Sequence, residues 1–484
     1  MPFETKSKNA GPGPALPKRL MLAASVAALF CGLSAPAFSA DTEMLIEKLR
    51  EKGVLSEEEY QEMRTEARAE RRAQALKEAN ETEKAAKKAE SAPSELTGRF
   101  KDGFSWESGD KEHSISLSGR VHADFRSFDI DSTNSNTADT FDIRRAYLGV
   151  SGKIYKDWSF EVTSDVANST LEYAYVNYKA SDSLQFRMGA FKMPFSFEEL
   201  TSSRFIDFQE RSLVNAFVPA KDQGLMIHGE PVKNTFGYAL AAMNGSGKNT
   251  DEANAVADDK EMIVRGALNF APMANLSGAV LHLGAGYTTG TLPGTTALTG
   301  GIRTEGRGIT FLTVNAPPGA AANSETDRER LGLEGMVAWG PLKLQTEWVK
   351  SAFENSSVGY DTEIDAYYAA LSWLITGEKY ADSYTLNGMR AIVPNRQFKK
   401  GAEGMGAWEL GVRMSKIDAG ELTGAQFTGT NEADAITVGL KWVPVTPVRI
   451  YLNYTQTDFD TPIAITGGTA DQEKAITLRA SVFF

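Results

Sequence analysis

The chain has 484 residues, of which 42% are apolar, 24% charged and 10% aromatic, which excludes the disordered and fibrous classes. Its net charge of −12 speaks against a nucleic-acid binder, and its single cysteine excludes a disulfide framework and a cysteine zinc site. Mean hydropathy is negative, which excludes a polytopic helical membrane protein but not a β-barrel, whose wall alternates polar and apolar residues.

Residues 1–40 read as a secretory signal peptide. Lys18 and Arg19 precede an apolar run of 14 residues, Leu20 to Leu33, and small residues between Ala35 and Ala40 set the cleavage region at 37–40. The run is shorter than the roughly 20 residues of a membrane-spanning helix. Cys31 lies inside it, so the mature chain carries no cysteine. From Asp41 the composition turns to Ala, Glu, Lys and Arg. Leu45, Leu49, Leu55 and Met63 stand near helical spacing, and Ser56 with Glu59 fits a capping box. The segment 41–97 is therefore expected to be a charged α-helical or coiled-coil arm in the periplasm, ended by Pro93. Two roles suit its 41–92 part: subunit association and contact with the cell wall. A solvated helix or a plain spacer is the alternative.

From Gly98 to Phe484 period-two alternation replaces the helical period. In the last segment Ile476, Leu478, Ala480, Val482 and Phe484 share one face, while Thr477, Arg479 and Ser481 share the other. Such strands set one face in an apolar medium and one in a polar medium. Sixteen segments of this kind start near 114, 141, 157, 171, 184, 223, 234, 261, 277, 329, 341, 363, 406, 433, 447 and 474. The fold class is all-β, a 16-stranded antiparallel transmembrane barrel over 98–484. Closure leaves no unpaired edge in lipid, and a barrel of this size encloses a lumen. A soluble β-sandwich would not account for the leader and the terminal aromatic Phe484 together.

If the amino end starts in the periplasm, the connections near 129–140, 167–170, 192–222, 244–260, 290–328 and 352–362 lie outside. The segment 376–405 then falls on the periplasmic side, where links should be tight. A long segment there is expected to fold into the lumen.

A pore selects solutes by width and by the charge on its wall. The polar faces of the strands place ten bases inward: Arg120, Arg126, Arg187, Arg265, Arg330, Lys343, Arg413, Lys441, Arg449 and Arg479. Seven acids join them: Asp124, Glu161, Asp165, Glu261, Glu334, Glu347 and Glu409. The wall is mildly basic inside an acidic protein. Arginine dominates, and its rigid fork suits multidentate oxyanions, although ion pairing across the lumen would use the same residues. Arg144 and Arg145 are adjacent, so regular pairing lets only one of them face the lumen; the other sits at the headgroup border or on a distorted strand start.

Three stretches carry a family resemblance. The first runs Arg187-Met188-Gly189-Ala190-Phe191-Lys192-Met193-Pro194-Phe195-Ser196, then Glu199-Leu200-Thr201-Ser202-Ser203, Glu210-Arg211-Ser212-Leu213 and Ala216-Phe217. The second is Trp373-Leu374-Ile375-Thr376-Gly377-Glu378 with Gly406-Ala407-Trp408-Glu409-Leu410, and the third is Ile143-Arg144-Arg145-Ala146. Together they resemble the phosphate-selective porin O and P family over about 100–484. The resemblance implies a homotrimeric channel in the outer membrane of a Gram-negative bacterium, set in outer-membrane lipid. It also implies a third external loop, here 192–222, folded inward as a constriction, with arginines and lysines guiding small anions such as phosphate. Arg144, Arg145, Lys192 and Arg211 fall in its motif segments; Arg204 and Lys221 lie in the same loop. That loop departs from a purely basic eyelet, because Glu198, Glu199, Asp207, Glu210 and Asp222 accompany its four bases.

No catalytic motif is recognisable, and no cofactor is expected. His113, His122, His228 and His282 lack metal spacing. Gly245-Ser246-Gly247-Lys248 lacks the first glycine and the final Ser/Thr of a phosphate loop. The expected function is passive diffusion biased toward anions. A general or cation-tolerant porin, or a structural barrel tethered by its arm, stands as the alternative.

Overall fold

The computed structural model describes residues 96–100, 103–129, 138–247, 260–401, 403–466 and 468–484, with scattered positions between 50 and 83. The expected signal peptide and most of the expected coiled coil lie outside the described residues. Contacts divide the chain at residues 92 and 93, and the second unit is the barrel.

Sixteen antiparallel strands form its wall. They are β1 (Ser114–Asp129), β2 (Thr140–Ile154), β3 (Trp158–Asp165), β4 (Thr170–Lys179), β5 (Gln185–Lys192), β6 (Lys221–Val232), β7 (Phe236–Met243) and β8 (Glu261–Asn269). The wall continues with β9 (Ala279–Pro293), β10 (Glu325–Trp339), β11 (Leu342–Asn355), β12 (Tyr360–Leu374), β13 (Ala407–Asp418), β14 (Glu432–Val443), β15 (Val448–Ile465) and β16 (Gly468–Phe483). Each start expected from the alternation lies within six residues of the observed one. β16 closes on β1 from Lys474 opposite Asp129 to Phe483 opposite Arg120. Every strand is thus paired on both sides, as hydrocarbon requires of backbone that has no water to bond.

The alternation is legible as burial. Along β12, Ile364, Ala366, Tyr368 and Ala370 are buried inward, while Tyr367, Leu371 and Trp373 are exposed on the outer surface. An apolar outer face in a closed barrel is the face that meets lipid. At the seam, Phe484 exchanges backbone hydrogen bonds with Gly119 at 2.8 and 3.0 Å. Its ring lies over Gly119, where an added Cβ would come within 2.3 Å of it. A short hairpin, Thr97–Phe100 with Phe104–Glu107, pairs with the first residues of β1 beyond the end of β16.

Three connections fill the lumen rather than leaving it open. The connection 193–220 carries the one-turn helix Phe197–Leu200 and a 3₁₀ turn at Leu213–Ala216. The connection 294–324 contributes strands Ile302–Arg303 and Thr310–Val314, which join Phe427–Gly429 from the connection 419–431 in a small sheet. Phe311, Leu312 and Val314 of that sheet cover inward apolar residues of β11, β12 and β15, among them Phe353, Ile364 and Phe459. One side of the lumen is therefore a packed apolar core. The third filler is the long segment 375–406, which leaves the same barrel end as the short turns and folds inward. Tyr384 stacks on Phe197 at 6.0 Å, and the Met389 N–H donates to Thr201 Oγ1 at 3.0 Å. Fillers from opposite ends thus meet inside the barrel, as the length of 376–405 led us to expect.

Candidate functional site: the constriction and its basic wall

All ten bases and seven acids read from the strand faces point into the lumen, most of them buried. Their partners divide them.

The connection 193–220 is tied to the wall by its own acids. Glu210 meets Arg479 at 2.7 Å, Arg144 at 3.0 Å and Arg126 at 3.7 Å. Burial works against ionising Glu210, but Arg144, Arg479 and Arg145 hold its carboxyl well below the usual range. Asp207 pairs with Lys343 at 2.6 Å and accepts from Ser372 at 3.1 Å, with Lys441 at 3.8 Å. Burial again opposes, and Lys343 and Lys441 bring Asp207 down to about 2. Glu198 accepts from Ser212 Oγ at 2.7 Å and meets Arg413 at 3.3 Å; burial raises its carboxyl against these partners. Glu199 pairs with Arg211 at 3.2 Å and Lys192 at 3.4 Å. Four of the five acidic residues that set this loop apart from a basic eyelet are thus the rivets that fasten it; the fifth, Asp222 on β6, accepts from the Gln223 and Gly245 N–H groups.

Adjacent arginines also share the lumen, because pairing is not regular here and the start of β2 is distorted. The β1–β2 register shifts between His122 and Ala123, which face Arg145 and Ile143, so Arg144 is an extra residue on β2. This bulge breaks the alternation. Arg144 reaches Glu210, while Arg145 stands opposite the buried His122 on the inner face. A second bulge on β4 makes Glu172 the extra residue, and it turns inward to pair with Lys221.

The thirteen expected anion-guiding residues thus fall into groups. Eight have a carboxylate partner: Arg126, Arg144, Lys192, Arg211, Lys221, Arg413, Lys441 and Arg479. Arg413 and Glu305, at 2.5 Å, are both almost completely buried. Arg211 also donates to the carbonyls of Glu198, Glu199 and Thr201, neutralising the end of the one-turn helix. Lys192 and Lys221 are the ends of β5 and β6, which corrects the loop from 192–222 to 193–220. Arg204 and Arg449 lie against Phe205 and Phe483, with guanidinium carbons 4.8–5.3 Å from the ring centres.

Arg120, Arg145 and Arg187 have no carboxylate within 4 Å among the described residues; Arg145 acts on Glu210 from beyond that distance. Arg120 donates to Ser203 Oγ at 2.6 Å and lies 3.9 Å over the Tyr147 ring. Arg187 donates to Asn177 Oδ1 at 3.2 Å and lies 4.3 Å over Tyr175. Arg120 borders a cavity of about 190 Å³ with Lys192, Arg204, Tyr147, Tyr173 and Glu161. Arginine without an ion pair at contact distance therefore collects on the wall from β1 to β5, away from the apolar filling along β11 and β12.

Residues 115–484 match the sequence profile of the family described as phosphate-selective porin O and P. The chain belongs to this family. Porin O of Pseudomonas aeruginosa is 28% identical over 418 residues, which cover 80% of this chain and 92% of that protein. The solved anion-selective porin from Comamonas acidovorans superposes with a TM-score of 0.50 at 13% identity, over 77% of this chain and all of that one. At that identity the likeness is one of fold. The protein is thus an outer-membrane porin.

This porin uses residues that the strand pattern does not flag. Glu305, in the connection 294–324, accepts from Arg413, Ser415 Oγ, Thr437 Oγ1 and the Leu213 N–H, locking two fillers together. Arg307 sits two residues on with φ of 67°, between Gly306 and Gly308. The Arg303 guanidinium donates to the carbonyls of Arg307 and Gly308, which holds this turn. Burial draws Arg307 down to about 10, with Glu210 opposing and Arg144, Arg303 and Arg126 adding to the fall, so it stays charged at neutral pH. Long aperiodic connections give no alternation to read. The only sequence hint was the charged, glycine-flanked tip Thr304 to Gly308.

Proposed function

We propose that the porin is a passive channel whose route for anions follows the β1–β5 wall past Arg120, Arg145 and Arg187. One observation carries this reading: the carboxylates of the connection 193–220 and Glu305 are consumed by ion pairs, whereas these three arginines have none within 4 Å among the described residues. The surplus raises the local anion concentration and replaces hydration in steps, without covalent chemistry. Phosphate and related small oxyanions suit such a wall, since arginine offers several donors in a fixed plane. The paired bases Arg126, Arg144, Lys192, Arg211, Lys221, Arg413, Lys441 and Arg479 shape the pore instead. A homotrimer, a periplasmic arm over 41–97 and its contact with the cell wall complete the proposal.

Single-channel recording in planar bilayers under a KCl gradient tests it. The expected reversal potential favours chloride, and added phosphate reduces the current. A cation-favouring potential, with no effect of phosphate, would reject it.

A further inference from the structure

Glu161 on β3 differs from the acids that fasten the constriction loop. It is the one carboxylate lining the cavity that Arg120, Lys192 and Arg204 border, and it has no basic partner among the described residues. Glu172, Glu198, Glu199, Asp207 and Glu210 each have one. Both Glu161 oxygens are used as acceptors, one from Thr163 Oγ1 at 3.0 Å and one from Tyr175 OH at 2.9 Å. Those two hydroxyls fix the carboxylate and leave further lone pairs on each oxygen.

An unpaired carboxylate is a poor feature for a site that must hold any anion. It repels charge, and at contact distance near a protein surface water screens that repulsion only in part. It is a useful feature if the anion carries a proton. Hydrogen phosphate and hydrogen arsenate have a P–OH or As–OH donor at neutral pH, whereas sulfate has only acceptors. An anion in this cavity meets donors from Arg120 and its neighbours and an acceptor from Glu161. Only the protonated oxyanion satisfies both, and an analogue lacking the hydroxyl leaves a charged acceptor facing its oxygens.

We infer that Glu161 is a specificity-determining residue that makes the cavity accept proton-bearing tetrahedral oxyanions and disfavour sulfate. The inference rests on the anion-channel reading above and names its substrate class.

The test uses the full-length channel in planar bilayers at neutral pH. Block of KCl current by inorganic phosphate and by sulfate is titrated for the wild type and Glu161→Gln, with KCl conductance as the check on folding. In the wild type, phosphate is expected to block at a concentration about tenfold lower than sulfate. In Glu161→Gln the sulfate block should tighten by about tenfold, while the phosphate block changes by less than about twofold. Equal tightening of both anions would show that Glu161 only sets the total charge, and would overturn the inference. If the variant gives no current, the wild type decides alone, since equal block by both anions overturns the idea without any mutant. A cation-selective wild type that neither anion blocks overturns the parent reading too, whereas an anion-selective one with equal block overturns only this inference.

Discussion

Two arginines show how the same side chain takes different work in this wall. Arg413 is buried between Glu305 and Glu198 and rests on the Phe208 ring at 4.6 Å. Replacing it by alanine leaves Glu305 as an uncompensated buried charge, a loss of about 3–5 kcal/mol. Arg413→Ala should therefore lower the temperature at which the folded barrel denatures, read as the heat-induced mobility change on a gel. Among the described residues Arg120 donates to Ser203 and lies over Tyr147. Arg120→Gln should leave that temperature within a few degrees but weaken phosphate block by about tenfold, the worth of about one charge-assisted hydrogen bond. A reversed pattern, with Arg413→Ala stable but insensitive to phosphate, would exchange their roles. The bulge at Arg144 belongs to this scale as well. Two consecutive arginines on one strand announce a conflict with alternation, but nothing in the sequence says that the backbone, rather than a side chain, gives way.

At the scale of elements, the strands were readable because their signal is local. A residue's face is set by its neighbours two positions away, so β12 can be read without knowing β11 or β13. The inward position of Arg413, Lys441, Arg449 and Arg479 followed from that rule, while their pairing did not, since Glu198, Asp207, Glu210 and Glu305 arrive from connections with no period. The loop 193–220 is held by those acids, which gives a sign for its pH response. Asp207 and Glu210 have depressed carboxyl groups, so their ion pairs are fully present above the ordinary carboxylate range and are lost only as pH falls through the depressed value, about 2 for Asp207. In a Glu198→Gln channel, which removes the one acid of this loop that burial raises, conductance should stay constant from neutral pH to about pH 3 as far as this loop is concerned. A step in conductance near pH 4.5 would mean that these acids are not clamped in this way. The junction of fillers offers a mechanical counterpart. Gly388 has φ of +120°, and a Cβ there would lie 2.8 Å from the Thr201 backbone. Gly388→Val should push the segment 375–406 off the constriction loop and give noisier current with a larger open level. Unchanged traces would show that the two fillers move independently.

For the whole molecule, a net charge of −12 and an anion route are compatible because the charges are sorted by place. Asp361, Glu363, Asp418, Asp434 and Asp458 stand exposed on the outer surface at the ends of β12 to β15, and the loop acids are paired inside. What remains on the β1–β5 wall is a small surplus of arginine at contact distance from a passing ion. Salt separates these two fields. Raising ionic strength from about 0.1 to 1 M shortens the screening length from about 10 to 3 Å. Steering by distant charges then fades, while a bond made to the ion itself is little affected. The chloride-over-potassium preference should therefore decline toward unity as KCl is raised, whereas phosphate block should persist, weakened mainly by competition from chloride for the same arginines. Measuring both in one titration separates the sources of selectivity. Should block vanish in step with the reversal potential, selectivity would belong to the far field and the cavity at Arg120 would have no part in it. Block that survives at 1 M KCl and disappears in Arg120→Gln would place the selective step at that arginine.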